Sequence, residues 1–250
     1  MALEDIFARG ILLKYLLPVV TVVVIIALSR KKLRQFRLRL IAYMGNRFLK
    51  KTHKQIRNEK SVVFSELKSQ ASKAKRPLQL LEIGSGSGMN FKNFPSGSEI
   101  ICLDPNPYNK TYLEENVHLR NPEVSIKKFV VGFAESMPEV EDNSCDAVVC
   151  TLVLCTVRDV KAVLSEILRI LKPNGIFYFV EHVASQKGRF KRKIQDLINP
   201  MWQKMMDGCN INREPWNDIH QAGFSKVDLT HFDICMFKTS TPGIYGKAIK

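Results

Sequence analysis

From Pro77 onward, short apolar runs alternate with longer stretches whose apolar residues recur every three or four positions, the pattern of a βαβ sheet covered by helices. The runs predict strands near 78–83, 99–103, 125–131, 146–151 and 176–183. The helical stretches fall near 88–94, 108–118, 159–171, 190–206 and 213–222. The tail, Lys226 to Phe232 and then Ile244 to Ile249, reads as two more strands joined by a loop containing Pro and Gly.

The N-terminal pattern is different. Ile11 to Leu28 is a run of 18 residues whose only charge is Lys14, a helix of about 27 Å and long enough for a thin bilayer. A cleaved signal peptide is the rival reading, but its apolar region would be shorter, and Ala27-Leu28-Ser29 is a weak cleavage site. Arg30, Lys31, Lys32, Arg34, Arg37 and Arg39 follow at once, which marks the cytosolic flank. Within them Leu33, Phe36, Leu40, Ile41, Met44 and Phe48 recur at helical spacing. That describes a basic amphipathic helix on a membrane surface or, alternatively, a solvated helix packing its stripe on the domain. The expected organisation is an anchor over 1–29, a membrane-proximal segment over 30–76 and a sheet domain over 77–250.

Charge sharpens this division. The chain carries a formal +14, and residues 1–76, with 18 Lys and Arg against 4 Asp and Glu, hold all of it. Residues 77–250 are neutral, so composition gives no support to a nucleic-acid-binding face on the domain. An anionic lipid surface suits the arm, at about 1 kcal/mol per basic residue near it. The six cysteines show neither a CxxC pair nor zinc-type spacing and mostly sit in apolar runs, so a reducing compartment and no metal are expected. Asn109-Lys110-Thr111 is a glycosylation sequon that would be used only in a lumenal domain.

The candidate chemistry starts at Leu80-Leu81-Glu82-Ile83-Gly84-Ser85-Gly86-Ser87-Gly88. Glycines after a strand let backbone N–H groups close on a ligand or merely permit a tight turn. Glu82 ends the strand, where a carboxylate can accept from an ammonium group. The spacing is tighter than the GxGxxG of dinucleotide sites. Asp104 follows the second strand, 20 residues after Gly84, where an acid can take both hydroxyls of a ribose, or else form an ordinary Asx turn in Asp104-Pro105-Asn106-Pro107.

With Ala134-Glu135-Ser136-Met137-Pro138, Cys145-Asp146-Ala147-Val148-Val149 and Glu166 to Gly175, these motifs make the chain resemble the class I S-adenosylmethionine-dependent methyltransferases. The resemblance implies a Rossmann-like, mostly parallel sheet of seven strands with the last antiparallel. It also implies S-adenosylmethionine as cofactor. Glu82, Gly84, Ser85, Gly86 and Gly88 would hold its methionine part, Asp104 with Pro105 and Asn106 its ribose, and the 132–135 loop, with Ala134 and Glu135, its adenine. Thr151 and Leu152 would line the sulfonium side. Where many relatives place an acid for the adenine amino group, Phe133 stands here. Glu135 or a backbone carbonyl would replace the acid, with Phe133 stacked on the ring or facing the core.

A narrower resemblance covers about residues 60–250. It rests on Asp104-Pro105-Asn106-Pro107, Val149 to Cys155, Phe177 to Val183, Asp207-Gly208-Cys209-Asn210, Arg213-Glu214-Pro215-Trp216 and Ile244-Tyr245-Gly246. By these the chain looks like the membrane-associated methyltransferase-like thiol S-methyltransferases. The resemblance implies a residence on endoplasmic reticulum and lipid droplets and an alkyl thiol as acceptor.

Methyl transfer from a sulfonium is an in-line displacement, helped by alignment and exclusion of water. A thiol with a pKa of about 8.5 is already a few per cent thiolate at neutral pH, so a base helps without being obligatory. Substrate groups should lie beyond the carboxyl ends of the strands. His182 is the candidate base, or a strand cap, and Asp207, Cys209 and Asn210 form a second group that could equally be a turn after a helix. Cys150 and Cys155 read as buried packing. Met201, Trp202, Met205, Met206 and Trp216 could line a greasy pocket, or be core or membrane-facing packing.

The expected protein is thus a membrane-anchored, cytosol-facing enzyme that methylates the sulfur of small lipophilic thiols. A lipid or quinone-like O- or C-acceptor is the second enzyme reading, and an inactive lipid-droplet scaffold the reading from another class. Oligomeric state is open.

Overall fold

The computed structural model describes residues 17–236 and 239–250. Two compact units divide at Met44 and Gly45. The first holds most of helix α1 (Leu17–Gln55), along which Leu33 and Phe36 are exposed. Residues 1–16 of the anchor expected over 1–29 lie outside the described residues. Among those described, no helix is long and apolar enough to cross a membrane.

The second unit is built on seven strands: β1 (Gln79–Ile83), β2 (Glu99–Asp104), β3 (Ser125–Val131), β4 (Cys145–Thr151), β5 (Leu171–His182), β6 (Lys226–Met236) and β7 (Thr239–Ile249). Their order is β3-β2-β1-β4-β5-β7-β6, with β7 antiparallel to both its neighbours and the remaining pairs parallel. The chain turns back on itself between β1 and β4, so a crevice opens there beyond the carboxyl ends of the strands, where open α/β sheets bind their ligands. All seven residues of β4 are buried, as a central strand covered on both faces requires.

Helix α2 (Arg57–Ala74) comes from the membrane-proximal segment. Four of the five helices read from periodicity are present with small shifts: α3 (Asn109–Arg120), α4 (Val160–Ile170), α5 (Phe190–Met205) and α6 (Pro215–Gln221). In α4 the buried set Val160, Val163, Leu164, Ile167 and Ile170 keeps helical spacing, and the Asp159 carboxylate caps its start by accepting from the Lys161 and Ala162 amides. The sheet unit begins well before residue 77, because Ile56, Val63, Phe64 and Leu67 of the α1–α2 region are buried in its core beside Leu80 and Ile100.

Two expectations need correction. Residues 88–94 form turns and a single 3₁₀ turn, Phe91–Asn93, because Gly88 sits at φ +74° and the loop must close on β2. The tail is one long hairpin, with Pro242 and Gly243 inside β7 rather than in a loop, where the Gly243 backbone packs against Phe232.

Candidate active site

Glu82, Asp104, Thr151 and His182 stand at the carboxyl ends of β1, β2, β4 and β5, the four strands that flank the crevice. Glu82 is 2% exposed, and its Oε1 accepts from Asn90 Nδ2 at 2.7 Å. Asn90 Nδ2 also donates to Thr151 Oγ1 at 3.1 Å, so one amide ties the end of β1 to the end of β4. Burial pushes the Glu82 carboxyl up to about 8, against the pull of Asn90 and Lys60. Lys60, from α2, is itself buried and driven down to about 7, chiefly by burial. It donates to the Met89 carbonyl at 3.4 Å and to Nδ1 of His53 at 2.9 Å.

The glycine loop is a backbone device. Gly84, Gly86 and Gly88 all have positive φ, and the Gly84 and Ser85 amides donate to the Leu103 carbonyl at 2.8 and 3.1 Å. A Cβ at Gly84 would come within 2.3 Å of Val153 Cγ2, so β4's following loop presses directly on this turn. At Gly86 the nearest heavy atom to such a Cβ is 3.9 Å away, which leaves space above the loop.

Asp104 does two jobs. Its Oδ2 accepts from Gly86 N at 2.9 Å, and its Oδ1 from Asn106 N at 2.8 Å and Asn109 Nδ2 at 2.9 Å. The Asx turn and the ligand-facing acid were alternatives in the sequence. The structure shows the turn, and three bonds still leave about one of the roughly four acceptor positions of the carboxylate for a ligand. Burial raises its pKa.

These residues fit the sulfonium cofactor. Glu82 Oε2 and the hydroxyls of Ser85 and Ser87 are buried without a hydrogen-bond partner among the described residues, around a glycine cradle with room above it. A buried unpaired acceptor beside an open backbone turn is what an ammonium group would satisfy. Leu152, at φ +58°, carries backbone strain at the same end of β4.

Of the adenine candidates, Ala134 is buried and Glu135 is engaged, its Oε1 accepting from Arg158 N at 2.6 Å. Phe133 does not face the core: it is 52% exposed, and the Arg158 guanidinium lies over its ring at 5.0 Å. Pro105 and Asn106 form the turn after β2, where Asn106 Oδ1 accepts from Tyr108 N.

The acceptor side is assembled by the 207–213 loop. Arg213 Nη1 donates to the Leu154 and Val157 carbonyls at 2.7 and 2.6 Å, which sews this loop to the one after β4. Cys209 is thereby carried to His182, with Sγ to Nε2 at 3.1 Å, and Cys155, His182 and Cys209 place their donor atoms within 4.8 Å of one another. Linear spacing showed no such cluster, because the three residues come from three segments. It is a soft nitrogen-and-sulfur set of the kind that can hold zinc. Burial alone would lower the His182 pKa, but Cys209 and Glu181 outweigh it and raise it. Cys209 is pushed up by Cys155 and burial.

Asn210 belongs to the loop rather than to the substrate. Its Nδ2 donates to the Cys155 and Gly208 carbonyls at 3.0 Å, and its Oδ1 accepts from Asn199 and Gln203. Asp207, at φ +50°, is exposed at the turn, with its charge felt at Asp104.

Sequence reasoning missed two contributors and gave a third, Glu181 beside His182, no role of its own. Asn90 had a signal, lying just past the glycine loop. Lys60 had none, because a lysine in a basic arm reads as surface. Glu181 is 0% exposed, and its Oε1 accepts from Val153 N at 2.9 Å and Cys150 Sγ at 3.3 Å. Its Oε2 has no partner among the described residues.

Comparison with known proteins agrees with this geometry. Residues 81–179 match the family described as "Methyltransferase domain". The human thiol S-methyltransferase TMT1A is 39% identical over 209 residues, covering 83% of this chain and 85% of its own. Rat thiol S-methyltransferase TMT1B is 37% identical over 202 residues, or 80% and 82%. Among solved structures, an S-adenosylmethionine-dependent methyltransferase of Methanosarcina mazei superposes with a TM-score of 0.55 at 19% identity, covering 70% of this chain and 93% of that one, a likeness of fold. The chain therefore belongs to the family of the thiol S-methyltransferases TMT1A and TMT1B, within the S-adenosylmethionine-dependent methyltransferases.

Proposed function

We infer that this methyltransferase acts on the sulfur of small lipophilic thiols, and that it works at the cytosolic face of endoplasmic reticulum membranes and lipid droplets. The observation that carries the acceptor is the buried imidazole of His182, held 3.1 Å from a thiol sulfur at the open end of β5. A site that already accommodates one sulfur against His182 suits a second. The printed activity of the relatives points the same way. In the sequence, the apolar run Ile11 to Leu28 and the basic residues after it support the membrane assignment.

When bound, the cofactor supplies an electrophilic methyl group. The chain's part is to hold, orient and deprotonate. Glu82 and the glycine loop would take the amino-acid end, Asp104 the ribose and Thr151 the reacting side. His182 Nε2 would receive the thiol proton, with Cys209 as its resting partner. Asp207 and Asn210 would shape the loop that excludes water.

The test is labelled methyl transfer to a panel of thiols by detergent-solubilised protein beside Asp104→Ala. Transfer that the variant loses supports the reading. Cofactor binding without transfer to any thiol refutes it in favour of an oxygen or carbon acceptor. Orientation is tested in microsomes: glycan at Asn109 would refute a cytosolic domain. Glycosylation would also remove the Asn109 donor to Asp104.

A further inference from the structure

α5 is an inside-out helix. Its protein-facing side is polar: Gln195 Oε1 accepts from Ser185 N at 2.7 Å, Asn199 Oδ1 accepts from Ile211 N at 3.0 Å, and Arg192 pairs with Glu214. Its outward side is apolar. Phe190, Ile194, Leu197, Met201 and Met205 are 77%, 42%, 81%, 60% and 71% exposed, and their spacing puts them on one stripe along the 16 residues of the helix. A helix at the surface of a globular unit ordinarily turns its apolar stripe inward, and a contiguous exposed one marks an interaction surface. Met201 and Met205 therefore neither line a pocket nor fill the core.

Charge selects the occupant. By helical spacing Lys191 lies along one border of the stripe, and Lys193 and Lys204 along the other. An apolar stripe between rows of lysine is the pattern of a helix lying in a lipid interface, with the ammonium groups at headgroup depth. Position gives it a purpose. The bonds of Gln195 and Asn199 fix α5 to the residues after His182 and to the loop that carries Cys209, so whatever covers the stripe sits beside the acceptor end of the site.

We propose that the outer face of α5 docks on an anionic bilayer surface, separately from the N-terminal arm, and presents the acceptor side of the site to substrate dissolved in lipid. The delivery role rests on the thiol reading above. The docking does not.

The test uses the full chain reconstituted in phosphatidylcholine–phosphatidylserine vesicles. Leu197→Trp should show tryptophan quenching by lipids brominated near the headgroup end of the acyl chain, in excess of the parent protein, and should resist aqueous iodide. Quenching by iodide and not by lipid overturns the docking. Protection from both also overturns it, since the stripe would then be covered by a second copy or by residues 1–16 of the chain. Leu197→Glu with Met201→Glu should lower turnover of a long-chain, membrane-dissolved thiol by about tenfold or more and leave a short, water-soluble thiol unchanged. Equal turnover of both thiols by variant and parent overturns the delivery role. If the parent methylates no thiol at all, the thiol reading falls while the quenching result still decides the docking.

Discussion

Gly84→Ala tests whether the cofactor loop is built on backbone fit. The native residue sits at φ +64°, where an L-residue costs about 1–2 kcal/mol. The new methyl would also lie 2.3 Å from Val153 Cγ2, and overpacking of that kind costs about 1–3 kcal/mol. Together the loss should be about 2–5 kcal/mol, or about 4–20 °C in melting temperature for a unit of this size. The two contributions separate in a double-mutant cycle. Val153→Ala removes the colliding atoms and leaves φ untouched, so the double variant should be more stable than additivity predicts by about 1–3 kcal/mol, while the φ strain persists. Melting in detergent and cofactor affinity by calorimetry are the assays. The reasoning is refuted if Gly84→Ala costs under about 1 kcal/mol and keeps its cofactor affinity, or if the two substitutions are additive.

Other predictions concern protons. With burial holding Glu82 up at about 8, cofactor binding at pH 7 should release close to one proton, seen as a dependence of binding enthalpy on buffer, and Glu82→Gln should abolish the release. Cys209→Ala should lower the His182 pKa, since that thiol is one of the two groups that offset burial, and the rising limb of kcat/KM against pH should move to lower pH; an unmoved limb would exclude His182 as the base. Burial would raise the Asp146 pKa, yet bonds from Arg76, the Gln79 amide and Lys172 hold it well below the carboxylate range. Its stabilisation is therefore present above about pH 4 and lost as pH falls through the folded value. Asp146→Asn should cost about 1–2 kcal/mol at neutral pH, Arg76 being half-exposed, and nothing at the acid end of a denaturation series.

Much of this protein was legible locally. Strand ends, the glycine loop and Asp104 lie within 25 residues of one another and depend on short-range backbone geometry, so spacing singled them out, and the resemblance assigned them to the cofactor. Period also placed α4, because one face of it is buried in the core. Periodicity misplaced residues 88–94, where positive φ at Gly88 overrides the helical pattern, and divided a hairpin at Pro242 and Gly243 that the sheet keeps whole.

Tertiary structure decided what depends on which segments meet. Cys155, His182 and Cys209 are separated by more than 25 residues at each step and converge where Arg213 and Asn210 tie two loops together. Lys60 becomes a buried group only because α2 packs on the sheet. For α5 the sequence determined an amphipathic helix, but a pattern of apolar and polar positions does not state which side faces the protein. That was settled by the polar partners waiting at Ser185, Ile211 and Glu214, which drew in the polar side of the helix and left its apolar stripe facing out.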